Sequence, residues 1–142
     1  MLKHGLIASE DYWKNLENFD PQNYKTLEEL IWESIKIKNT VVTKDPFEQG
    51  LRKTLNYGHT LGHAIESYCL GNNSRQDLLH GEAIAIGVIL ANYISHKTIG
   101  FPSEKLNHTT QHILKYFPKV IKALQRKYPR HIIYKNTTKS IK

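Results

Sequence analysis

The stretch DPFEQGLRKTLNYGHTLGHAIE, residues 45–66, and the shorter stretch LLHGEAIAIG, residues 78–87, decide how this chain folds and which chemistry it carries. Together they hold three histidines (His59, His63 and His80), an arginine, an asparagine and five glycines. Helical periodicity places His59 and His63 on one face, four residues apart, a spacing at which two imidazoles can reach one centre. This density of ligand-type residues predicts a functional site built on helices.

Apolar residues recur with a helical period along most of the chain. Thr26 and Glu29 have the spacing of a capping box at the start of a helix, and Asp45-Pro46 is expected to end that same helix. Ser103 is expected to cap the last helix. The expected fold is a mainly α-helical bundle with almost no sheet. Helices are predicted over residues 2–18, 26–43, 59–70, 81–97 and 103–116, with a short helical turn at 48–56 and a loop at 71–74.

Charge divides the chain into a balanced body, residues 1–118, and a basic tail, residues 119–142. The tail contains eight Lys or Arg and no acidic residue, whereas the body has a net charge of −1. The tail lacks the aromatic stacking pattern or the glycine-rich interleaving of an RNA-binding segment, so a solvated or irregular terminus is favoured over a nucleic-acid role. Residues 121–124 give a weak helical signal and residues 131–134 a weak strand signal.

Length and cysteine content set the broad class. The 142 residues suffice for one domain with a core. The single cysteine, Cys69, excludes an internal disulfide and fits a reducing cytoplasm. No signal peptide follows Met1, and the longest apolar run, residues 83–90, is too short to cross a bilayer. We therefore expect a cytoplasmic protein without a membrane partner.

The first group of residues that could form a functional site consists of histidines and glutamates. A catalytic zinc site takes three protein ligands and an open position, and His80 would add a third imidazole to His59 and His63. A carboxylate is the usual complement to two histidines, and the candidates are Glu48, Glu66 and Glu82. The alternative is a set of histidines satisfied by neighbouring groups, with the glutamates as solvated surface charges.

A second group is cationic and polar. Arg52 and Asn56 are one helical turn apart and, with Lys38, suit an anionic, hydroxylated substrate. The alternative is an exposed, salt-bridged helix, and Lys53 on another face fits that alternative. Gly58 and Gly62 allow close approach to another helix, but the glycines do not form the G-x-G-x-x-G dinucleotide fingerprint. The chain therefore contains no recognisable nicotinamide-binding unit.

Three stretches together resemble one family. They are KHGLI (residues 3–7), SIKIKNTVVTKDPFEQGLRKTLNYGHTLGHAIE (34–66) and LLHGEAIAIG (78–87). Residues 1–118 are similar to the C-terminal helical domain of 3-dehydroquinate synthase. The resemblance implies the conversion of 3-deoxy-arabino-heptulosonate 7-phosphate to 3-dehydroquinate and phosphate, in the shikimate pathway to aromatic amino acids. It also implies bound NAD, a divalent metal (zinc or cobalt) and, in many members, a homodimer.

The resemblance implies a role for each matching residue. His59 and His80 resemble the two metal-binding histidines, whereas His63 resembles a histidine that transfers protons beside the substrate. Glu48 resembles an acidic residue that assists proton transfer. Four further residues resemble groups that hold the substrate carboxylate, hydroxyls and phosphate: Lys3, Lys38, Arg52 and Asn56.

The resemblance also implies elements that this sequence does not show. The family's third metal ligand is a glutamate whose position falls immediately before Met1, and its α/β NAD-binding domain has no counterpart here. The tail does not match the end of the family pattern. The sequence therefore predicts a synthase fragment that is incompetent alone. The alternatives are another sugar-phosphate cyclase, such as a 2-deoxy-scyllo-inosose synthase, or a non-catalytic helical module that binds metal or a partner.

Overall fold

A computed structural model describes residues 1–20, 22–71 and 78–117. Within these residues the chain forms six α-helices and one 3-10 helix, without a strand, which confirms the predicted mainly α-helical fold. The chain divides into two compact units, Met1–Tyr57 and Gly58–Lys142. The first unit holds α1 (Leu2–Ala8), α2 (Glu10–Glu17), α3 (Tyr24–Lys44) and the 3-10 helix (Leu51–Asn56). The second holds α4 (His59–Gly71), α5 (His80–Ile99) and α6 (Ser103–Tyr116).

Several predicted boundaries fall where the structure gives no description. The basic tail with its helix and strand signals at 121–124 and 131–134 lies outside the described residues, as does most of the loop predicted at 71–74. Gly71 itself belongs to α4 rather than to the loop. None of the helices in the described residues is long and apolar enough to cross a membrane.

The core of the first unit lies between α2 and α3. Tyr12, Leu16 and Leu30 form a buried cluster against which the partly buried Leu2, Phe19 and Ile37 pack. The Tyr12 hydroxyl donates a hydrogen bond of 2.8 Å to the Leu30 carbonyl oxygen, so the ring is buried with its polar end satisfied. These contacts fix the first two helices against the long third one.

The single helix predicted over residues 2–18 is wrong, because the chain breaks at Ser9. Ser9 has an extended backbone, and its side chain accepts a hydrogen bond from the backbone N–H of Tyr12. A serine that caps the following helix competes with helix continuation, which the apolar spacing alone did not reveal. The predicted capping box at Thr26 is also wrong. Asn23 is the N-cap and accepts from the Thr26 N–H, while Ser103 is the first helical residue rather than a cap.

A buried polar contact joins α1 to α3. His4 Nδ1 and Ser34 Oγ are 2.7 Å apart, and both side chains are buried. Burial, reinforced by nearby positive charges, lowers the pKa of His4 to about 4. The imidazole is therefore neutral at neutral pH, because burial disfavours its charged form. The contact holds the two helices together next to Lys3, the residue before His4 on α1.

Glycines allow α4 and α5 to pack backbone against backbone. A Cβ at Gly62 would lie 3.0 Å from the Ala83 carbonyl oxygen, and one at Gly58 would lie 2.8 Å from the Val88 nitrogen. Gly58 also has a φ of 79°, which favours glycine. Because earlier residues of α4 face later residues of α5, the helices run antiparallel. The predicted close approach at Gly58 and Gly62 is confirmed.

Candidate metal centre and substrate-binding groups

The three histidines predicted from the sequence gather between α4 and α5. The ring centroids of His59 and His63 are 5.6 Å apart, those of His59 and His80 are 6.1 Å apart, and those of His63 and His80 are 5.3 Å apart. His59 and His80 are the first residues of their helices, and His63 lies one turn further along α4. The glycine-mediated packing places the start of α5 beside the middle of α4, so residues distant in sequence meet here.

Glu66 is the carboxylate that completes this cluster. It lies three residues after His63 on α4, and its Oε2 is 3.2 Å from Nδ1 of both His63 and His80. The other oxygen, Oε1, is 3.3 Å from His80 Nδ1. These hydrogen bonds, first from His80 and then from His63, hold the pKa of Glu66 below its usual value. The carboxylate is therefore ionised over the whole neutral range.

The donor set suits a borderline transition metal. One ligand atom each from His63, Glu66 and His80 lies within 4.8 Å of the others. Imidazole nitrogen with a carboxylate oxygen is a common combination at zinc and cobalt sites. The side chains of His63 and His80 are each 56 % exposed, and that of Glu66 is 24 % exposed, so an ion and a substrate have access from solvent. The residues present thus fit a divalent metal.

The other two candidate carboxylates serve different purposes. Glu82 is buried, and its carboxylate accepts a hydrogen bond of 3.0 Å from the backbone N–H of Leu79. It therefore closes the N-terminus of α5 and supports the position of His80. Glu48 lies in the first unit, where its partners are Arg52 and Asn56. Of the two candidates in the second unit, Glu66 is the one that contacts the histidines.

The polar groups predicted on residues 48–56 contact one another. Asn56 Nδ2 donates to Glu48 Oε1 at 2.9 Å, and the Arg52 Nε is 3.9 Å from Glu48 Oε2. Arg52 also donates from a terminal guanidinium nitrogen to the Pro46 carbonyl oxygen at 2.9 Å. Glu48 has a φ of 56°, an uncommon backbone conformation for a residue other than glycine. This strained turn points to a loop shaped for function.

Lys3 and Lys38 form a second polar group in the first unit. Lys3 Nζ donates to the Leu55 carbonyl oxygen at 2.8 Å, which ties α1 to the 3-10 helix that carries Arg52 and Asn56. Burial and the positive charge of Lys38 lower the pKa of Lys3. Two ammonium groups close enough to repel each other are a favourable environment for an anion, because an anion relieves that repulsion.

Asp45 organises the loop that carries Glu48, Arg52 and Asn56, a role that its residue type and spacing alone did not predict. Its Oδ1 accepts from the Gln49 N–H at 2.9 Å, and its Oδ2 accepts from the Gly50 and Arg52 N–H groups at 2.8 and 3.0 Å. Backbone donation from Arg52, Gly50 and Gln49 lowers the pKa of Asp45. The signal available in the sequence was an aspartate before proline in a glycine-containing turn, a combination that favours side-chain-to-backbone hydrogen bonds.

Replacing Asp45 with asparagine is expected to loosen this loop at neutral pH. The amide offers one acceptor oxygen where the carboxylate offers two, and its NH2 group would face backbone donors. Amide hydrogen exchange at Gln49, Gly50 and Arg52 should rise at least about tenfold, by loss of charge-assisted hydrogen bonds. Since the folded pKa is depressed, the native contacts are present above the unfolded pKa and are lost as pH falls through the folded value.

The exposed Asp11, whose replacement by asparagine should leave exchange in this loop unchanged, is the control. Equal exchange rates in the Asp45 variant and the native protein at neutral pH would show that the carboxylate does not organise the loop.

The predicted site residues thus fall into two sets, each within one unit. The histidines of the second unit are brought together, and Glu66 joins them. In the first unit Glu48, Arg52 and Asn56 share contacts, while Lys3 and Lys38 interact electrostatically.

Comparison with known proteins gives a consistent match. The family model described as 3-dehydroquinate synthase C-terminal matches residues 1–137. A 3-dehydroquinate synthase of Parabacteroides distasonis is 44 % identical over 120 residues, which are 83 % of this chain and 33 % of that protein. One from Bacillus pumilus is 43 % identical over 104 residues, 70 % of this chain and 27 % of that protein. One from Streptococcus pyogenes is 42 % identical over 118 residues, 82 % of this chain and 32 % of that protein. The chain spans about a third of the length of the curated relatives it matches.

Proposed function

The chain belongs to the 3-dehydroquinate synthase family through that family's C-terminal domain, and from this premise we propose that it supplies the metal-binding and substrate-binding groups of a dehydroquinate synthase. The reaction is the conversion of 3-deoxy-arabino-heptulosonate 7-phosphate to 3-dehydroquinate and phosphate. The observation that carries the proposal is the histidine cluster, with rings 5.3–6.1 Å apart and Glu66 in contact with two of them.

In this proposal His59 and His80 bind the metal, and His63 stands beside the substrate to transfer a proton. The matching positions of the family motif support this division, and the closeness of the three rings is compatible with it. When bound, zinc or cobalt would hold and acidify substrate hydroxyls, and NAD would oxidise and later re-reduce one carbinol carbon. By resemblance to the family, the dinucleotide is assigned to the family's α/β domain.

Lys3, Lys38 and Arg52 hold the substrate's negative charges, and Asn56 orients a hydroxyl. The repulsion between the two lysines supports an anion-binding role, since a phosphate or carboxylate would neutralise it. As phosphate leaves, charge accumulates on its oxygens, and a fixed cationic environment stabilises that charge. Glu48 assists proton transfer, and its contacts with Arg52 and Asn56 keep it beside both groups.

A chimera tests the proposal directly. The C-terminal third of the Parabacteroides distasonis synthase is replaced with this chain, which matches it over 120 residues. The chimera should release phosphate and form dehydroquinate when supplied with NAD and zinc, and the isolated chain should not. A His63→Ala chimera that still binds zinc is the matched control and should be inactive. A folded, zinc-loaded chimera that forms no dehydroquinate would contradict the proposal.

A second candidate function is a helical module that binds metal without turnover. It is favoured by one observation: the candidate metal ligands His63, Glu66 and His80, together with His59, all lie on the α4–α5 pair and so within one unit. Stoichiometric zinc binding by the chain, together with an inactive chimera, would support this candidate. Formation of a different carbocycle by the chimera would instead indicate another sugar-phosphate cyclase.

A further inference from the structure

We propose that Glu66 is a positioning residue that fixes the same tautomer in His63 and His80, with the proton on Nδ1 and the lone pair on Nε2. This inference rests on the proposed function, because it explains how one ring is prepared to bind a metal and the other to accept a proton. Glu66 itself is assigned neither of those two tasks.

The geometry places one carboxylate against the same nitrogen of both rings. Glu66 Oε2 is 3.2 Å from Nδ1 of His63 and 3.2 Å from Nδ1 of His80, and Oε1 is 3.3 Å from the latter. The first contact is made within α4, three residues apart, and the second crosses to α5. The carboxylate is the least exposed of the three side chains, so its own position is held by the helix pair.

The chemistry of the groups then fixes the proton. An ionised carboxylate only accepts hydrogen bonds, whereas a neutral imidazole has one donor nitrogen and one acceptor nitrogen. Each Nδ1 must therefore carry the proton in order to contact Glu66, and each Nε2 carries the lone pair. A second-sphere carboxylate on a ligand histidine is a recurrent arrangement at metal sites, where it orients the ring and raises its basicity.

His80, the first residue of α5, is one of the two proposed metal ligands. A neutral ring with Nε2 unprotonated is the state that binds a metal. Since Glu66 contacts the Nδ1 side, Nε2 is the nitrogen available for a centre shared with His59, whose ring centroid is 6.1 Å away.

The consequence is that one carboxylate prepares two functions. In a single ionised state Glu66 directs a lone pair of His80 toward the metal and a lone pair of His63 toward a substrate proton. Replacing it with glutamine should uncouple them, because the amide has one acceptor oxygen and an NH2 donor group. The NH2 group replaces one of the two carboxylate oxygens. At the Oε1 position it faces Nδ1 of His80, and at the Oε2 position it faces Nδ1 of both rings, so at least one ring must turn an unprotonated nitrogen toward it.

The test is nitrogen NMR of the metal-free protein with labelled histidine, combined with zinc competition titration. In the native protein His63 and His80 should both show protonated Nδ1. In the Glu66→Gln variant at least one of them should change to protonated Nε2, and zinc affinity should fall about 10- to 100-fold. Glu104→Gln, an exposed change on α6, is the matched control and should alter neither readout.

Three outcomes would overturn the inference. The first is an unprotonated Nδ1 in either ring of the native protein, and the second is unchanged tautomers and zinc affinity in the Gln variant. The third is loss of zinc affinity by more than about a thousandfold, with X-ray absorption showing loss of an oxygen ligand, which would make Glu66 a metal ligand itself. The tautomer measurement needs neither turnover nor metal. An inactive chimera with the expected tautomers would therefore remove the proposed reaction and leave the positioning role intact.

Discussion

Replacement of Gly87 with alanine is expected to destabilise the second unit by about 3 kcal/mol or more. A Cβ at this position would overlap the Gly58 carbonyl oxygen and lie 2.7 Å from the Gly62 nitrogen. Both neighbours are backbone atoms, so no side-chain rotation can relieve the overlap. Urea unfolding followed by circular dichroism should show the loss, and the histidine cluster should lose its zinc affinity because α4 and α5 would be forced apart.

Gly81→Ala is the matched control on the same helix. No atom lies within 4 Å of a Cβ added there, and alanine favours helix over glycine, so this variant should be neutral or more stable by up to about 1 kcal/mol. If Gly87→Ala fails to accumulate in soluble form while Gly81→Ala is produced normally, the expectation is met as well. Native stability in the Gly87 variant would show that the two helices do not need backbone contact.

Replacement of His80 with alanine is expected to weaken zinc binding by more than about a hundredfold, since even a residue that only supports a ligand costs 10- to 100-fold. His80 is the one histidine that belongs both to the proposed ligand pair and to the geometric group with His63 and Glu66. Its loss therefore removes a ligand whether the metal is held by His59 and His80 or by His63, Glu66 and His80. Competition with a chromophoric chelator measures the affinity, and turnover of the chimera should fall to background.

The same titration on His59 and His63 variants separates the two arrangements. If His59 is a ligand and His63 transfers protons, His59→Ala loses zinc, whereas His63→Ala keeps zinc and loses turnover. If His63, Glu66 and His80 hold the metal instead, the result is reversed, and the proposed roles of His59 and His63 are wrong. His108→Ala, an exposed change on α6, is the control and should retain both affinity and turnover.

Helix content and the histidine cluster were predictable because their signals are local. The apolar run after His80 specifies a buried helix, and α5 indeed buries residues such as Ala83, Ile86 and Val88. The glycines at 58 and 62 indicated close helix packing. Ser9 shows where prediction from local spacing fails. The apolar spacing across Ser9 fits one helix as well as two, whereas in the structure its side chain accepts a hydrogen bond from the Tyr12 N–H and caps a second helix.

Contacts between elements were not predictable from spacing alone. Glu48, Glu66 and Glu82 were equal candidates in the sequence, and the antiparallel register of α4 and α5 is what brings Glu66 to His80. The spacing of three between His63 and Glu66 was a usable local signal, since such pairs face each other on a helix. The loop-organising role of Asp45 depends on backbone N–H directions that residue types do not specify.

The backbone contact between Gly58 and Gly87 has a consequence for protein design. It sets the offset between α4 and α5 without relying on interlocking side chains, so that offset should survive extensive repacking of the remaining interface. The distances among His59, His63, Glu66 and His80 depend on the same offset. A designer who grafts these four residues onto another antiparallel helix pair should therefore transfer the glycine contact with them, because that contact fixes the distances within the metal site.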